Sequence, residues 1–199
     1  FTVFSDECYA DIYFGKKPVG ALTARYAMTG DFSRLLTFHS LSKRSALPGL
    51  RSGIVAGDEK LMATFRQWRN YAGPQVPMPI MAASAAAWRD EAHVAANRQT
   101  YKERFEEARR VIGNHAGFRM PEGGFFLWLD VGDGEKAALK LWREGGIRTL
   151  PGAYMGREIL TGKPQSNPGF SFLRVALVSD LSTIRTALQR MGEILSGDS

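Results

Sequence analysis

The sequence predicts an α/β fold over its first half and a small α+β fold over its second. In the first half, short β-branched and aromatic runs end in polar residues and alternate with segments of helical periodicity, which is typical of α/β sheets. After residue 114 the pattern changes to short strands and two helices. We therefore expect part of a larger α/β domain over residues 1–92, a long linking helix over 93–113, and a compact domain over 114–199.

The first domain is predicted to contain three strands, each of which carries polar residues into the following turn. These strands lie at residues 1–5, 34–39 and 52–57. Residues 15–33 are rich in Gly, Pro and Thr and predict a loop with one short helix.

Helices are predicted after the third strand. Asp58 is a suitable N-cap for a helix to about residue 71, and residues 73–77 (Gly-Pro-Gln-Val-Pro) break it. An Ala-rich helix follows at 79–89, and Asp90 can cap a long helix from 91 to about 114.

The second domain is predicted to alternate strands with two helices. Strands are expected at residues 118–120, 125–131, 147–150 and 170–178. The helix at 135–144 is followed by Gly145 and Gly146, a pair typical of a helix C-cap, and Asp180 can cap a final helix to about residue 195.

The composition, with 44% hydrophobic and 23% charged residues in 199, is that of an ordinary soluble protein. The net charge of +6 is spread along the chain rather than gathered in a basic stripe, which argues against nucleic-acid binding. No apolar run approaches the roughly 18–20 residues of a membrane span. The single cysteine excludes an internal disulfide and indicates a reducing, cytoplasmic compartment. The three histidines lack metal-ligand spacing, so no metal site is predicted.

Polar motifs follow two of the predicted strands and open the third. Residues 6–9 (Asp-Glu-Cys-Tyr) end the first strand, residues 40–43 (Ser-Leu-Ser-Lys) follow the second, and Arg51 comes eight positions after Lys43 on a Pro-Gly turn. Hydroxyls and a guanidinium around one amine suit a bound phosphate beside a lysine that forms an imine. Because such strand ends meet at one edge of an α/β sheet, we expect the motifs to lie close together.

These motifs, together with Phe-Leu-Arg-Val-Ala at 172–176, resemble the class I/II aminotransferases of fold type I, which depend on pyridoxal phosphate (PLP). The resemblance covers the whole chain but only the C-terminal half of that family. It implies a partial large domain with a mostly parallel sheet, a small α+β domain, PLP as cofactor and a homodimer. A first residue other than Met agrees with a chain taken from a longer protein. The family's ring-stacking aromatic, Gly-rich phosphate loop and ring-binding Asn would then precede Asp6.

The resemblance also implies a role for each matching residue in binding the cofactor ring. Lys43 would form the imine with PLP and later move the proton between the substrate Cα and the cofactor. Asp6 would pair with the pyridine nitrogen and keep it protonated, and Tyr9 would donate to the ring hydroxyl oxygen. Cys8, between them, is interpreted as a small packing residue.

Other matching residues would bind anions. Ser40, Ser42 and Arg51 would bind the phosphate, since a dianion needs several donors and arginine offers a rigid fork. Arg174, a cation within an apolar strand, would bind the α-carboxylate of the substrate. The alternative for Arg174 is a structural buried ion pair.

The resemblance implies transfer of an amino group between an amino acid and a 2-oxo acid. The segment 40–53, with Arg44 and Ser45 after the lysine, and the segment 73–77 are similar to the succinyldiaminopimelate aminotransferases of lysine biosynthesis. That subfamily would act on N-succinyl-diaminopimelate with 2-oxoglutarate. An aspartate, alanine or aromatic aminotransferase is the nearest rival to this subfamily. Two alternatives of other classes also stay open: a PLP-dependent C–S lyase, and the aminotransferase-like sensing domain of a transcriptional regulator. These 199 residues alone are expected to bind PLP weakly or not at all.

Overall fold

The computed structural model describes residues 1–73, 75–115 and 117–197, and its contacts divide the chain into two compact units, Phe1–Gln99 and Thr100–Ser199. The division falls inside the long helix, Ala92–Ile112, which therefore contributes to both units. The domain limits at residues 92 and 114 stay predictions. No helix in the described ranges is both long and apolar enough to cross a bilayer.

A sheet in the order β1-β2-β3 forms the centre of unit 1. Its strands are β1 (Val3–Asp6), β2 (Leu35–Ser40) and β3 (Gly53–Gly57), close to the predicted positions. Strands β1 and β2 are parallel, with Asp6 opposite Phe38, whereas β3 runs antiparallel to β2, with Gly53 opposite Ser40. Because β3 is antiparallel, its beginning lies at the same edge of the sheet as the ends of β1 and β2.

The helices predicted in unit 1 are present in order, and a further short helix at Leu41–Arg44 was not predicted. Together they are α1 (Ala21–Thr29), α2 (Leu41–Arg44), α3 (Glu59–Ala72), α4 (Met78–Arg89) and the first residues of α5 (Ala92–Ile112). The carboxylate of Asp58 accepts the amide of Leu61 at 3.0 Å, which confirms Asp58 as the N-cap of α3. The carboxylate of Asp90 accepts the amide of Ala92 at 2.8 Å, but α5 begins at Ala92, one residue later than predicted, so Asp90 does not directly precede the helix. Pro74, in the predicted break at 73–77, lies outside the described residues.

Unit 2 contains an antiparallel sheet in the order β4-β6-β5. Its elements after α5 are β4 (Phe126–Asp130), α6 (Gly134–Gly145), β5 (Leu150–Pro151), β6 (Phe172–Ala176) and α7 (Leu181–Ser196). Asp180 caps α7 by accepting the amide of Thr183 at 2.9 Å, and Gly146 ends α6 at φ 65°, a left-handed conformation that favours glycine. The sheet and helices enclose a core of Phe105, Leu127, Leu129, Leu141, Leu173, Ile184, Leu188 and Met191.

Two strand predictions in unit 2 are corrected. Residues 118–120 form no strand, because the amide of Phe118 donates to the carbonyl of His115 at 2.8 Å in a turn and Pro121 follows without a donor. The strand predicted at 147–150 begins only at Leu150, because the amide of Ile147 donates to the carbonyl of Leu141 at the end of α6. In both cases a backbone amide bonds within a turn or at a helix end instead of to a neighbouring strand, and the periodicity of the sequence does not reveal such bonds.

Candidate functional site

Lys43 lies in a four-residue helix that begins directly where β2 ends. Ser40 has an extended backbone and its Oγ accepts the amide of Ser42 at 3.1 Å, so this serine caps α2 and turns the chain from strand to helix. Leu41 is fully buried, which fixes one side of the short helix. Lys43 itself is half-buried.

Asp6 ends the neighbouring strand as a carboxylate that stays charged at neutral pH. Hydrogen bonds from the side chain and the backbone of Cys8 lower the pKa of Asp6, the backbone bond measuring 3.0 Å, and His39 adds a smaller electrostatic effect. In turn, burial and the adjacent Asp6 carboxylate raise the pKa of the Cys8 thiol to about 11. The motif at 6–9 thus holds a thiol and a carboxylate in contact.

The amine of Lys43 lies beside this group. Its Nζ is 5.9 Å from the centre of the Tyr9 ring. The positive charge of Lys43 also acts to lower the pKa of Cys8, against the larger effects of burial and Asp6. The structure therefore brings the predicted residues Asp6, Tyr9 and Lys43 together at one edge of the unit 1 sheet.

The connection from β2 to β3 supplies donors for an anion. The hydroxyls of Ser40 and Ser42 face each other, with 2.9 Å between their oxygens, and Ser40 Oγ lies 3.3 Å from the carbonyl oxygen of Ser52. Arg51 has φ 52° after a 3-10 turn at Pro48–Leu50, and one of its nitrogens donates to the carbonyl of Pro48 at 2.8 Å. Its guanidinium is exposed and retains further N–H donors.

Arg174 belongs to unit 2 and is described there. It lies on β6, opposite Trp128 of β4 and Leu150 of β5. Its guanidinium carbon is 4.3 Å from the centre of the Phe126 ring, and Nη1 is 3.4 Å from the sulfur of Met155. Arg174 is half-buried, and these two contacts are with a ring and a sulfur rather than with a carboxylate.

Sequence reasoning missed the residues that hold α2 in place. Arg44, noted only for a subfamily similarity, is 4% exposed and pairs with Asp11 and Glu91. Asn97 donates to the carbonyls of both Lys43 and Arg44 at 3.1 Å. No local pattern marks Asn97, because its partners are 54 and 53 residues away in the sequence.

The described residues contain no group of three or more His, Cys, Asp or Glu side chains arranged to hold a metal ion. The candidate site of unit 1 is instead one amine, one ionised carboxylate, a phenol, two hydroxyls and a guanidinium. This set can bind an anion and present an amine to an electrophile.

Comparisons with known proteins agree with this chemistry. The chain matches the family described as aminotransferase class I and II over residues 1–191. It is 35% identical, over 94% of its length, to the 4-dedimethylamino-4-oxo-anhydrotetracycline transaminase OxyQ of Streptomyces rimosus, covering 49% of that protein. It is 24% identical, over 96% of its length, to the LL-diaminopimelate aminotransferase of Maridesulfovibrio salexigens, covering 48% of that protein.

A solved structure with a similar fold is an aminotransferase from Neisseria meningitidis Z2491, with a TM-score of 0.88 and 42% identity. The match covers 98% of this chain and 49% of that one. The chain therefore spans about half the length of the relatives it matches.

Proposed function

Because this chain belongs to the class I and II aminotransferases, we propose that its protein transfers an amino group between an amino acid and a 2-oxo acid, with PLP as cofactor. The observation that carries the proposal is the meeting of Lys43, Asp6 and Tyr9 at one edge of the unit 1 sheet. When bound, PLP supplies an aldehyde that joins to an amine and a ring that accepts electrons from the substrate Cα.

The residues of unit 1 fit this cofactor. Asp6, whose pKa is lowered by Cys8, offers a negative charge to a protonated ring nitrogen. Tyr9, whose ring centre is 5.9 Å from the amine of Lys43, would offer its hydroxyl to the ring oxygen of the cofactor. Lys43 would be the group that bonds to the cofactor and moves the substrate proton.

The phosphate of the cofactor would be bound by Ser40, Ser42 and Arg51. The two hydroxyls are 2.9 Å apart, so one oxygen of an anion can accept from both. Arg51 adds charge-assisted donors from the same connection between strands.

Arg174 would bind the α-carboxylate of the amino acid. Its contacts with the Phe126 ring and the Met155 sulfur orient the guanidinium while leaving its charge available. A homodimer is proposed from the family resemblance.

For the substrate, we propose N-succinyl-diaminopimelate with 2-oxoglutarate, in lysine biosynthesis. Support comes from the sequence of segment 40–53, from the similarity to an LL-diaminopimelate aminotransferase, and from a net charge of +6 that suits dianionic substrates. Arg44, the clearest part of the subfamily similarity, is buried against Asp11 and Glu91, so it contributes to the scaffold rather than to substrate contacts.

The test is a half-reaction with the intact protein. Glutamate is added to protein loaded with PLP, and the released cofactor is separated by chromatography. We expect conversion to pyridoxamine phosphate. Lys43→Ala should slow this conversion by about 10²–10⁴-fold or more, because the variant loses the group that moves the proton.

Lys60→Ala is the matched control, since Lys60 is exposed on α3. Release of pyruvate and thiol from cystathionine, without conversion of the cofactor, would assign a C–S lyase instead. Specific DNA binding without turnover of any amino acid would assign a sensing domain.

A further inference from the structure

Asn97 of α5 clamps the end of the helix that carries Lys43. The last carbonyl groups of a helix have no partner within the helix, and those of Lys43 and Arg44 are such groups. The side-chain amide of Asn97 has two N–H donors, and its nitrogen lies 3.1 Å from each carbonyl oxygen. One side chain therefore satisfies both groups across a sequence separation of more than 50 residues.

Arg44 fastens the same turn through its side chain. Its Nε lies 3.3 Å from a carboxylate oxygen of Asp11, Nη1 donates to the carbonyl of Ala87 at 3.1 Å, and Nη2 pairs with Glu91. The guanidinium carbon is also 4.9 Å from the centre of the Trp88 ring. A buried guanidinium with partners on several sides holds the backbone that carries it in one place.

These contacts matter because α2 cannot hold its own position. A helix of four residues is too short to be stable alone, so tertiary contacts determine where its side chains lie. Leu41 anchors its beginning, and Asn97 and Arg44 anchor its end. Lys43 lies between these two anchors.

We propose that Asn97 and Arg44 are positioning residues for the amine of Lys43. The inference rests on the proposed function, because it assigns these residues a role in presenting that amine to PLP. They set the place and direction of the lysine backbone through its own carbonyl and that of the next residue. A displacement of about 1 Å at a reacting group can cost about 100-fold in rate.

The test uses Asn97→Asp in the intact protein, a change of nearly constant size. The aspartate sets acceptors against the two carbonyls that Asn97 now serves, and so should displace the turn. The readout is the rate and final stoichiometry of covalent PLP attachment, trapped by borohydride and counted by mass spectrometry on the peptide that contains Lys43.

We expect attachment to slow by about 10–100-fold, and kcat to fall similarly with little change in KM for the amino donor. Asn70→Ala is the control, since Asn70 is exposed on α3 and should leave both quantities unchanged. Circular dichroism and the melting temperature show whether each variant is folded.

A second variant, Arg44→Lys, keeps the positive charge but loses the fork that contacts Asp11 and Glu91 together. This variant replaces Asn97→Asp in the test if Asn97→Asp fails to fold. Its PLP attachment should also slow by about 10–100-fold. Folded variants that attach PLP at the wild-type rate and keep the wild-type kcat would overturn the inference. A wild-type protein that never attaches PLP at Lys43 would instead overturn the proposed function.

Discussion

At the scale of single residues, Cys8 was interpreted from the sequence as a small packing residue, and in the structure it also contacts the carboxylate of Asp6. Its backbone amide donates to the Asp6 carboxylate at 3.0 Å, and its thiol lowers the pKa of that carboxyl. A carboxyl with a lowered pKa keeps its charge as the pH falls and loses it only in strong acid. Asp6 is thus held in the charged form that a protonated cofactor ring requires.

The same contact predicts slow alkylation of Cys8. With a pKa of about 11, the thiol holds about 100-fold less thiolate at pH 8 than a cysteine of pKa 9.0, and the thiolate is the reactive form. Because a more basic thiolate is also more nucleophilic, we expect iodoacetamide to modify Cys8 only about 10-fold more slowly at pH 8 than such a cysteine, with the rate still rising above pH 10. Mass spectrometry of the alkylated peptide across a pH series measures the rate of this alkylation.

Asp6→Asn tests the cause of this low reactivity. Removing the carboxylate removes a charge that opposes the thiolate, so the pKa of Cys8 should fall and alkylation at pH 8 should accelerate. A cysteine-containing peptide gives the unperturbed rate. Wild-type protein that reacts as fast as the peptide at pH 8 would contradict the assignment.

At the scale of elements, successive side chains of β6 alternate between the core of unit 2 and the opposite face of its sheet. Leu173 and Val175 are buried in the core of unit 2, whereas Arg174 lies on the other face over the Phe126 ring. Substitutions at two neighbouring positions on this strand should therefore have different effects, one on stability and the other on substrate binding.

Leu173→Ala should lower the free energy of unfolding by about 2–5 kcal/mol, because it leaves a cavity in a close-packed core. Arg174→Ala should leave stability nearly unchanged and mainly raise KM for the amino donor, because Arg174 is the proposed ligand of the substrate carboxylate. Denaturant titration and steady-state kinetics on the intact protein measure both. Arg185→Ala, an exposed arginine on α7, is the kinetic control. An unchanged KM in Arg174→Ala would remove this residue from the proposed site.

Sequence patterns predicted those elements whose signals are local. The carboxylates of Asp58 and Asp180 cap the helices they precede, and Gly146 ends α6, because a cap depends on residues within three or four positions. Asp90 bonds to the first amide of α5 over the same short range. The two serines after β2 were proposed as phosphate ligands from the same short range, but the sequence left open whether Ser42 faces Ser40, and the structure shows that it does.

Features set by distant parts of the chain were not predictable in this way. The bonds of Asn97 to the α2 carbonyls join residues more than 50 positions apart, and the pairing of Arg44 with Glu91 spans 47. The short strand β5 exists only by pairing with β6, where Leu150 lies opposite Arg174. Periodicity carries no information on such partners.

At the scale of the whole molecule, the predicted fold class is confirmed by the TM-score of 0.88 to the Neisseria aminotransferase. The composition of the site follows from the direction of three strands. Parallel β1 and β2 end at the same edge, and antiparallel β3 begins there. Sequence order alone could not predict the direction of β3, although it placed Arg51 correctly before that strand.

The outer strands of the unit 1 sheet expose apolar side chains, which affects whether a polypeptide of these 199 residues can bind PLP. In the described part of unit 1, β1 and β3 are the outer strands, and they expose Phe4 by 66% and Ile54 by 49%. Relatives of about twice this length supply the rest of their fold from other residues. Large exposed apolar side chains on a sheet indicate a surface that another part of a protein covers.

We therefore predict that a polypeptide of residues 1–199 binds PLP weakly or not at all, although it contains Lys43. It should bind an apolar dye more strongly than the intact protein does, because the faces around Phe4 and Ile54 are open. Absorbance titration with PLP, followed by borohydride trapping at Lys43, measures the binding. Stoichiometric labelling of Lys43 at equimolar PLP and neutral pH would contradict this prediction. It would show that residues of unit 1 and unit 2 are sufficient to bind PLP.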